Sequence, residues 1–202
     1  MRNPQSIMTW PVLKRYDSDH LSRIALPLGG IGTGTVSLSG RGNLRDWEIV
    51  NRPAKGFTPQ IGGGIGPFFA LWSKASGAPA VTRVLEGPLD THEYEGSTGT
   101  TATNHGLPRF RRCRFEATYP FGRVRLSDPD VPVQVELEGF NPFIPGDTDA
   151  SSIPVAVFTV RLHNRSDANV AASVCAAVPN FIGGKGKDSD NHNRFAKGKG
   201  FQ

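Results

Sequence analysis

Sulfur is scarce in this 202-residue chain, which has only two cysteines and two methionines. Cys113 and Cys175 stand far apart on separate expected strands, with neither a CxxC pair nor a Cys/His spacing around them. A zinc site is therefore excluded by spacing, and two buried free thiols are expected. Long apolar runs are missing too: nothing approaches the roughly 18 residues that a membrane helix needs. The opening residues, MRNPQSIMTW, lack the apolar core of a secretory signal. The chain reads as cytoplasmic, so the glycosylation sequon at Asn164-Arg165-Ser166 carries no weight. Apolar and charged residues are both modest, at 37% and 20%, whereas 24 glycines and 16 prolines favour many turns over long helices.

The formal charge of +5 comes largely from Arg109, Arg111, Arg112, Arg114, Arg123 and Arg125, and from Lys185, Lys187, Lys197 and Lys199 near the end. No DNA- or RNA-binding motif accompanies these residues. They are expected to be solvated strand faces and a polar tail, with no nucleic-acid partner.

Period-two alternation dominates the middle of the chain. Val131, Val133, Val135 and Leu137 alternate with Pro132, Gln134, Glu136 and Glu138, the pattern of a strand with one buried face. Cys113, Phe115, Ala117 and Tyr119 alternate with charged and polar residues up to Tyr119-Pro120-Phe121-Gly122, so 110–127 reads as a β-hairpin closed by a type I turn. Residues 153–163 and 169–178 are β-branched runs around the polar 164–168 linker and read as a second hairpin. Shorter strands are expected at 33–38, 67–73 and 80–87. Residues 88–108 read as a long surface loop suited to meeting a partner domain. No helix longer than about ten residues is expected; the pattern is that of an antiparallel sandwich.

Several segments invite chemistry. LPLGGIGTGTV offers glycines for a phosphate, but Gly30, Gly32 and Gly34 form GxGxG, no Lys-Ser/Thr follows, and the next residues prefer a strand. A tight, closely packed lead-in to a strand is expected instead. Acid pairs at i, i+2 occur at Asp46/Glu48, Asp128/Asp130, Glu136/Glu138, Asp147/Asp149 and Asp188/Asp190. Glycoside hydrolysis needs two carboxyls of unequal pKa. Glu136/Glu138, however, should face solvent, and Asp128/Asp130 should cap a turn. The 188–193 segment lacks the glycine and distal glutamate of a calcium loop, and no metal or cofactor site is expected. Arg45, Asp46 and Trp47 stand out, with an aromatic between charges just after a Gly-rich turn. Either Trp47 is buried with exposed charged neighbours, or the three form a surface for another domain or a sugar.

Specific strings then take over from pattern. Residues 21–53, 110–167 and 174–183, with PLGGIG, RDWEI, YPFGRV, EGFNPFIPGD and IPV, resemble the N-terminal domain of glycoside hydrolase family 116, which includes the bile-acid β-glucosidases or non-lysosomal glucosylceramidases. The resemblance implies an all-β, two-sheet antiparallel sandwich that is incomplete at its C-terminal end. Residues 1–20 would be an extension and 21–202 a partial sandwich. It implies a partner, a C-terminal (α/α)6 barrel of the same parent that carries the nucleophile and the acid/base, with a β-glucoside as the parent's substrate. It assigns no catalytic residue here. Loops 41–53 and 88–108 would border the cleft, with Arg45, Asp46 and Trp47 as candidate contacts. A carbohydrate-binding module stacking sugars on Trp10, Trp47 or Trp72, or a purely structural module, is the alternative.

Overall fold

The computed structural model describes residues 12–49, 53–61, 64–94, 102–180 and 194. It is 46% strand and 6% helix, with three antiparallel sheets and no closed barrel, so the expected all-β sandwich forms. The strands are β1 (Lys14–Tyr16), β2 (Ala25–Leu28), β3 (Thr35–Ser39), β4 (Leu44–Glu48), β5 (Phe68–Ala75), β6 (Val81–Val84), β7 (Arg112–Thr118), β8 (Phe121–Ser127), β9 (Val133–Phe140), β10 (Val157–Asn164) and β11 (Val170–Ala177). One turn of helix, α1 (Thr148–Ser151), is capped by Asp147, whose carboxylate accepts the Ala150 N–H. Among the described residues no helix is long and apolar enough to cross a membrane.

The largest sheet runs β1-β7-β8-β9-β10, and two three-stranded sheets run β2-β3-β4 and β11-β5-β6. Alternation decides which face of the large sheet is covered: Phe115, Val124, Leu126, Val133, Val135 and Leu137 all turn inward and are buried. Gly122 and Gly139 pair directly across β8 and β9. A Cβ on Gly122 would meet Leu26 at 2.5 Å, and one on Gly139 would meet Leu28 and Leu38 at 3.0 Å. Glycine there lets β2 and β3 press onto the middle of the sheet. Phe69 of β5 packs on Phe158 of β10 at 5.2 Å between ring centroids, so the other small sheet covers the same face. Each aliphatic or aromatic side chain fully buried in this layer contributes about 1.5–3 kcal/mol.

The hairpin at 110–127 forms as β7 and β8, but the Tyr119-Pro120 peptide is cis, so its turn is of the cis-proline class and not type I. The second expected hairpin does not form. β10 pairs with β9, whereas β11 pairs with β5 in the opposite layer. The polar linker has good turn chemistry, with Asn164 accepting from the Ser166 N–H and donating to the Ala168 carbonyl. Local turn chemistry reverses a chain without fixing which strand the next segment pairs with, and here it carries the chain across the sandwich. β1, β2 and β4 are strands that the sequence did not announce, each too short to show a period.

The glycine-rich segment is the tight lead-in expected of it. Gly32 and Gly34 have φ of +74° and +91°, and the loop delivers the chain into β3 rather than into a helix. Asp128 caps its turn, accepting the Asp130 N–H at 3.0 Å, whereas the Asp130 carboxylate pairs with Arg111 instead of the backbone.

The two cysteines part company. Cys113 is buried in the core, but Cys175 is exposed on β11, an edge strand of its sheet, contrary to the expectation of two buried thiols. Burial pushes the Cys113 thiol up to about 12. Since the thiolate is the reactive form, a disulfide reagent at pH 8 should titrate one thiol, Cys175, in the native domain, and the second only after denaturation. Two fast thiols in the native state would contradict this placement.

Candidate functional site

The two loops expected to border a cleft do meet in the structure. The β3–β4 connection turns through Gly42, with φ of +102°, so close to the chain that a Cβ would lie 2.4 Å from the Leu85 carbonyl. This contact sets Arg41 beside the segment that follows β6. Arg41 donates from Nη1 to Glu86 at 2.9 Å and from Nη2 to Glu93 at 3.0 Å. Glu86, fully buried, also accepts from Arg109 Nε at 3.1 Å. The remaining Arg109 nitrogens donate to the carbonyls of Thr103, Asn104, His105 and Leu107. Arg41, Glu86 and Arg109 thus clamp the two loops together. Asn104 pins the far side, accepting from the Gly66 N–H and donating to the Pro67 carbonyl.

Between the loops lies a cavity of about 310 Å³, whose lining includes Asn43, Arg45, Thr58, His92, Glu93 and Thr103. Arg45 is therefore at the cavity, with Nε 3.4 Å from Asp46 and Nη1 3.4 Å from the Ser22 carbonyl. Asp46 and Trp47 sit behind it. Asp46 is 2% exposed, holds a φ of +50°, and accepts the Gly56 N–H at 2.6 Å. Its positive φ coincides with a slip in the β3–β4 register. Trp47 is 8% exposed within the core cluster, and its backbone N–H donates to Phe57. Glu48 faces away to Lys55 at 2.7 Å, and that hydrogen bond draws its carboxyl below the usual range.

Counted together, the lining and the buried groups behind it balance in charge: Arg41, Arg45 and Arg109 stand against Asp46, Glu86 and Glu93. Its lining mixes donors and acceptors, Asn43, Arg45, Thr58 and Glu93 among them, a set that suits hydroxyl groups. Among the described residues Glu93 is the one carboxylate in the lining, and it is held by Arg41 and by the Asp90 N–H. Retaining glycoside hydrolysis needs two carboxyls about 5–5.5 Å apart. Among the described residues the lining holds no second acid to act as nucleophile.

The two tryptophans among the described residues do not form a platform. Trp47 is in the core, Trp72 is partly exposed on β5, and Trp10 lies outside the described residues. The 188–193 acids also lie outside them. Among the described residues no group of three or more His, Cys, Asp or Glu side chains could hold a metal ion.

A second polar arrangement was not foreseen. Glu136 and Glu138, expected to be solvated, are 6% and 7% exposed, and Arg123 is buried with them. These residues occupy the outer face of the large sheet, where Arg123 Nη2 lies 2.6 Å from Glu138 and Arg125 Nη1 2.6 Å from Glu136. Glu116 is 3.0 Å from Arg125 and 3.6 Å from Arg123, and Arg161 contacts Glu138. Alternating strands place these charges in register, Arg123 opposite Glu138 and Arg125 opposite Glu136, and the long stems of the arginines cover their partners. The basic residues of the middle segment are therefore partly internal to a lattice and not all solvated.

The family model described as beta-glucosidase 2, glycosyl-hydrolase family 116 N-term matches residues 25–200. That span takes in the loop cavity, the charged lattice and every strand except β1. The chain belongs to the glycosyl-hydrolase family 116 N-terminal domain family.

Proposed function

We propose that this domain is the non-catalytic sandwich of a retaining β-glucosidase- or glucosylceramidase-type hydrolase, packed on a helical catalytic barrel of the same polypeptide. In this reading the clamped loops carrying Arg45 and His92 border the cleft and offer hydroxyl-binding groups to a β-glucoside. The observation that carries the reading is the family match over residues 25–200. The acids of the described residues support it, because each candidate pair already has a structural partner. Asp46 holds the Gly56 N–H, Glu48 holds Lys55, Asp128 caps its turn, Glu136 and Glu138 are bound by arginines, and Asp147 caps α1.

The test is turnover of an aryl β-glucoside by the 202-residue chain beside the same chain extended through its catalytic domain. The extended protein is expected to hydrolyse the glucoside and the short chain to fall at least about a thousandfold below it, because both carboxyls of the mechanism would be missing. Comparable rates from the two proteins would overturn the proposal.

A further inference from the structure

The strings PLGGIG, YPFGRV, EGFNPFIPGD and IPV are scattered between residues 27 and 155, yet the fold gathers them at one end of the sandwich. The Gly29 N–H donates to Asn141 Oδ1 at 3.2 Å, and the Ile31 N–H to the Ser151 carbonyl at 2.9 Å. The Asn141 N–H donates to the Pro120 carbonyl, and the Ile144 N–H to Ser151 Oγ at 2.9 Å. Backbone and short polar side chains thus hold the segments together. Leu28 and Val124 of these strings enter the core, but most of their other large apolar side chains are exposed.

Ile31, Tyr119, Phe121, Ile144, Ile153 and Val155 are 37–57% exposed. With Val157 they make seven of the thirteen large hydrophobic side chains exposed among the described residues, concentrated at one end. Aromatic contacts tie the patch together, Phe121 stacking on Phe140 at 4.7 Å and Tyr119 packing on Phe143 at 6.0 Å. Single exposed hydrophobes need no explanation, but a contiguous patch marks an interaction surface.

Charge tells what kind of partner fits. Residues 24–40 carry no charged side chain, and 139–160 carry no lysine or arginine, in a protein of net charge +5. The carboxylates of that second stretch are Asp147, spent on the α1 cap, and Asp149. Interface cores are depleted of charge in this way. The outer face of the large sheet, by contrast, is a lattice of arginine and glutamate that would lose hydration if another domain covered it.

We infer that this apolar end is where the catalytic part of the parent polypeptide docks, through a face that is apolar at its centre and carries a lysine or arginine opposite Asp149. The inference rests on the accessory-domain reading above. Its test is side-chain footprinting of the full-length parent by a diffusing radical, read by mass spectrometry. Ile31, Ile144 and Ile153 are expected to react about tenfold more slowly than Val174, which is 40% exposed on the edge strand β11. Equal rates would overturn the inference. So would protection that grows with protein concentration, which signals a second copy, or that requires added phosphatidylcholine vesicles, which signals a membrane.

A paired substitution, Ile144→Asp with Ile153→Asp, gives an independent reading, since neither side chain belongs to the sandwich core. In the parent it is expected to split one cooperative thermal transition into two and to lower turnover at least about tenfold. A single transition with unchanged turnover would overturn the inference. A parent that shows the protected end but cleaves no β-glucoside would sink the activity reading and leave the docking surface standing.

Discussion

Arg123→Ala is expected to lower the unfolding free energy by about 3 kcal/mol, at the lower edge of the range for removing one partner of a buried ion pair. Arg123 lies within 3.6 Å of three carboxylates, Glu116, Glu136 and Glu138, all buried. Truncation leaves Glu138 with Arg161 and removes the one lattice arginine that is itself buried. Arg125 still holds Glu136 and Glu116, which is why the upper end of the range is not reached. Arg161→Ala should cost no more than about 1 kcal/mol, because its half-exposed side chain is screened by water. Urea unfolding followed by the fluorescence of buried Trp47 measures both. The double change Arg123→Leu with Glu138→Leu should recover more than half of the loss, since an apolar pair of similar volume leaves no unpaired charge. A loss below about 1 kcal/mol for Arg123→Ala would show that the lattice is solvated after all, as the alternation alone implies.

Why alternation alone misleads at this face is instructive. The period-two pattern of 131–138 assigns Val133, Val135 and Leu137 to one side and Glu136 and Glu138 to the other, and both assignments are right. What it cannot supply is the neighbour. Glu138 is buried because register sets Arg123 opposite it on β8, and that register belongs to the 128–132 connection between β8 and β9, which the alternation of one strand does not describe. The same limit explains the lost hairpin: residues 153–163 and 169–178 are strands, but the partner of each is chosen by the inward-facing Phe158 and Phe69 packing across the sandwich.

Legibility at the site divides in the same way. Arg45, Asp46 and Trp47 attract notice as a string, yet they separate in space into one cavity residue, one buried turn acceptor and one core aromatic. The residues that build the cavity, Arg41, Glu86 and Arg109, lie far apart in sequence and carry no spacing that could link them. The loops themselves were legible, because 88–108 is polar and rich in glycine and threonine. Their mutual clamp was not. The family-specific strings were the most informative part of the sequence, and the fold gives them a physical meaning: four of them converge on one apolar end, held by main-chain and short polar side-chain hydrogen bonds that no composition argument could reveal.

That end depends on the glycine lead-in, and Gly29→Ala is expected to destabilise the domain by about 3–5 kcal/mol, in the class of substitutions that strain a special backbone position. Gly29 has a φ of +149°, and an added Cβ would lie 2.2 Å from the Gly34 carbonyl oxygen and 3.3 Å from the Thr35 Cα. These are backbone atoms of the start of β3, so no side chain can swing away to make room. Relief requires β3 to move from β2, which breaks the Gly29–Asn141 and Ile31–Ser151 hydrogen bonds and loosens the apolar end. Gly32 separates this clash from the cost of conformation. Its φ is +74°, and a Cβ there meets nothing within 4 Å, so Gly32→Ala should cost only the left-handed penalty of about 1–2 kcal/mol. Thermal or urea unfolding of the two variants, measured side by side, gives the difference directly. A difference below about 0.5 kcal/mol would mean that the loop repacks freely, and the rigid geometry assigned to this end would be lost with it.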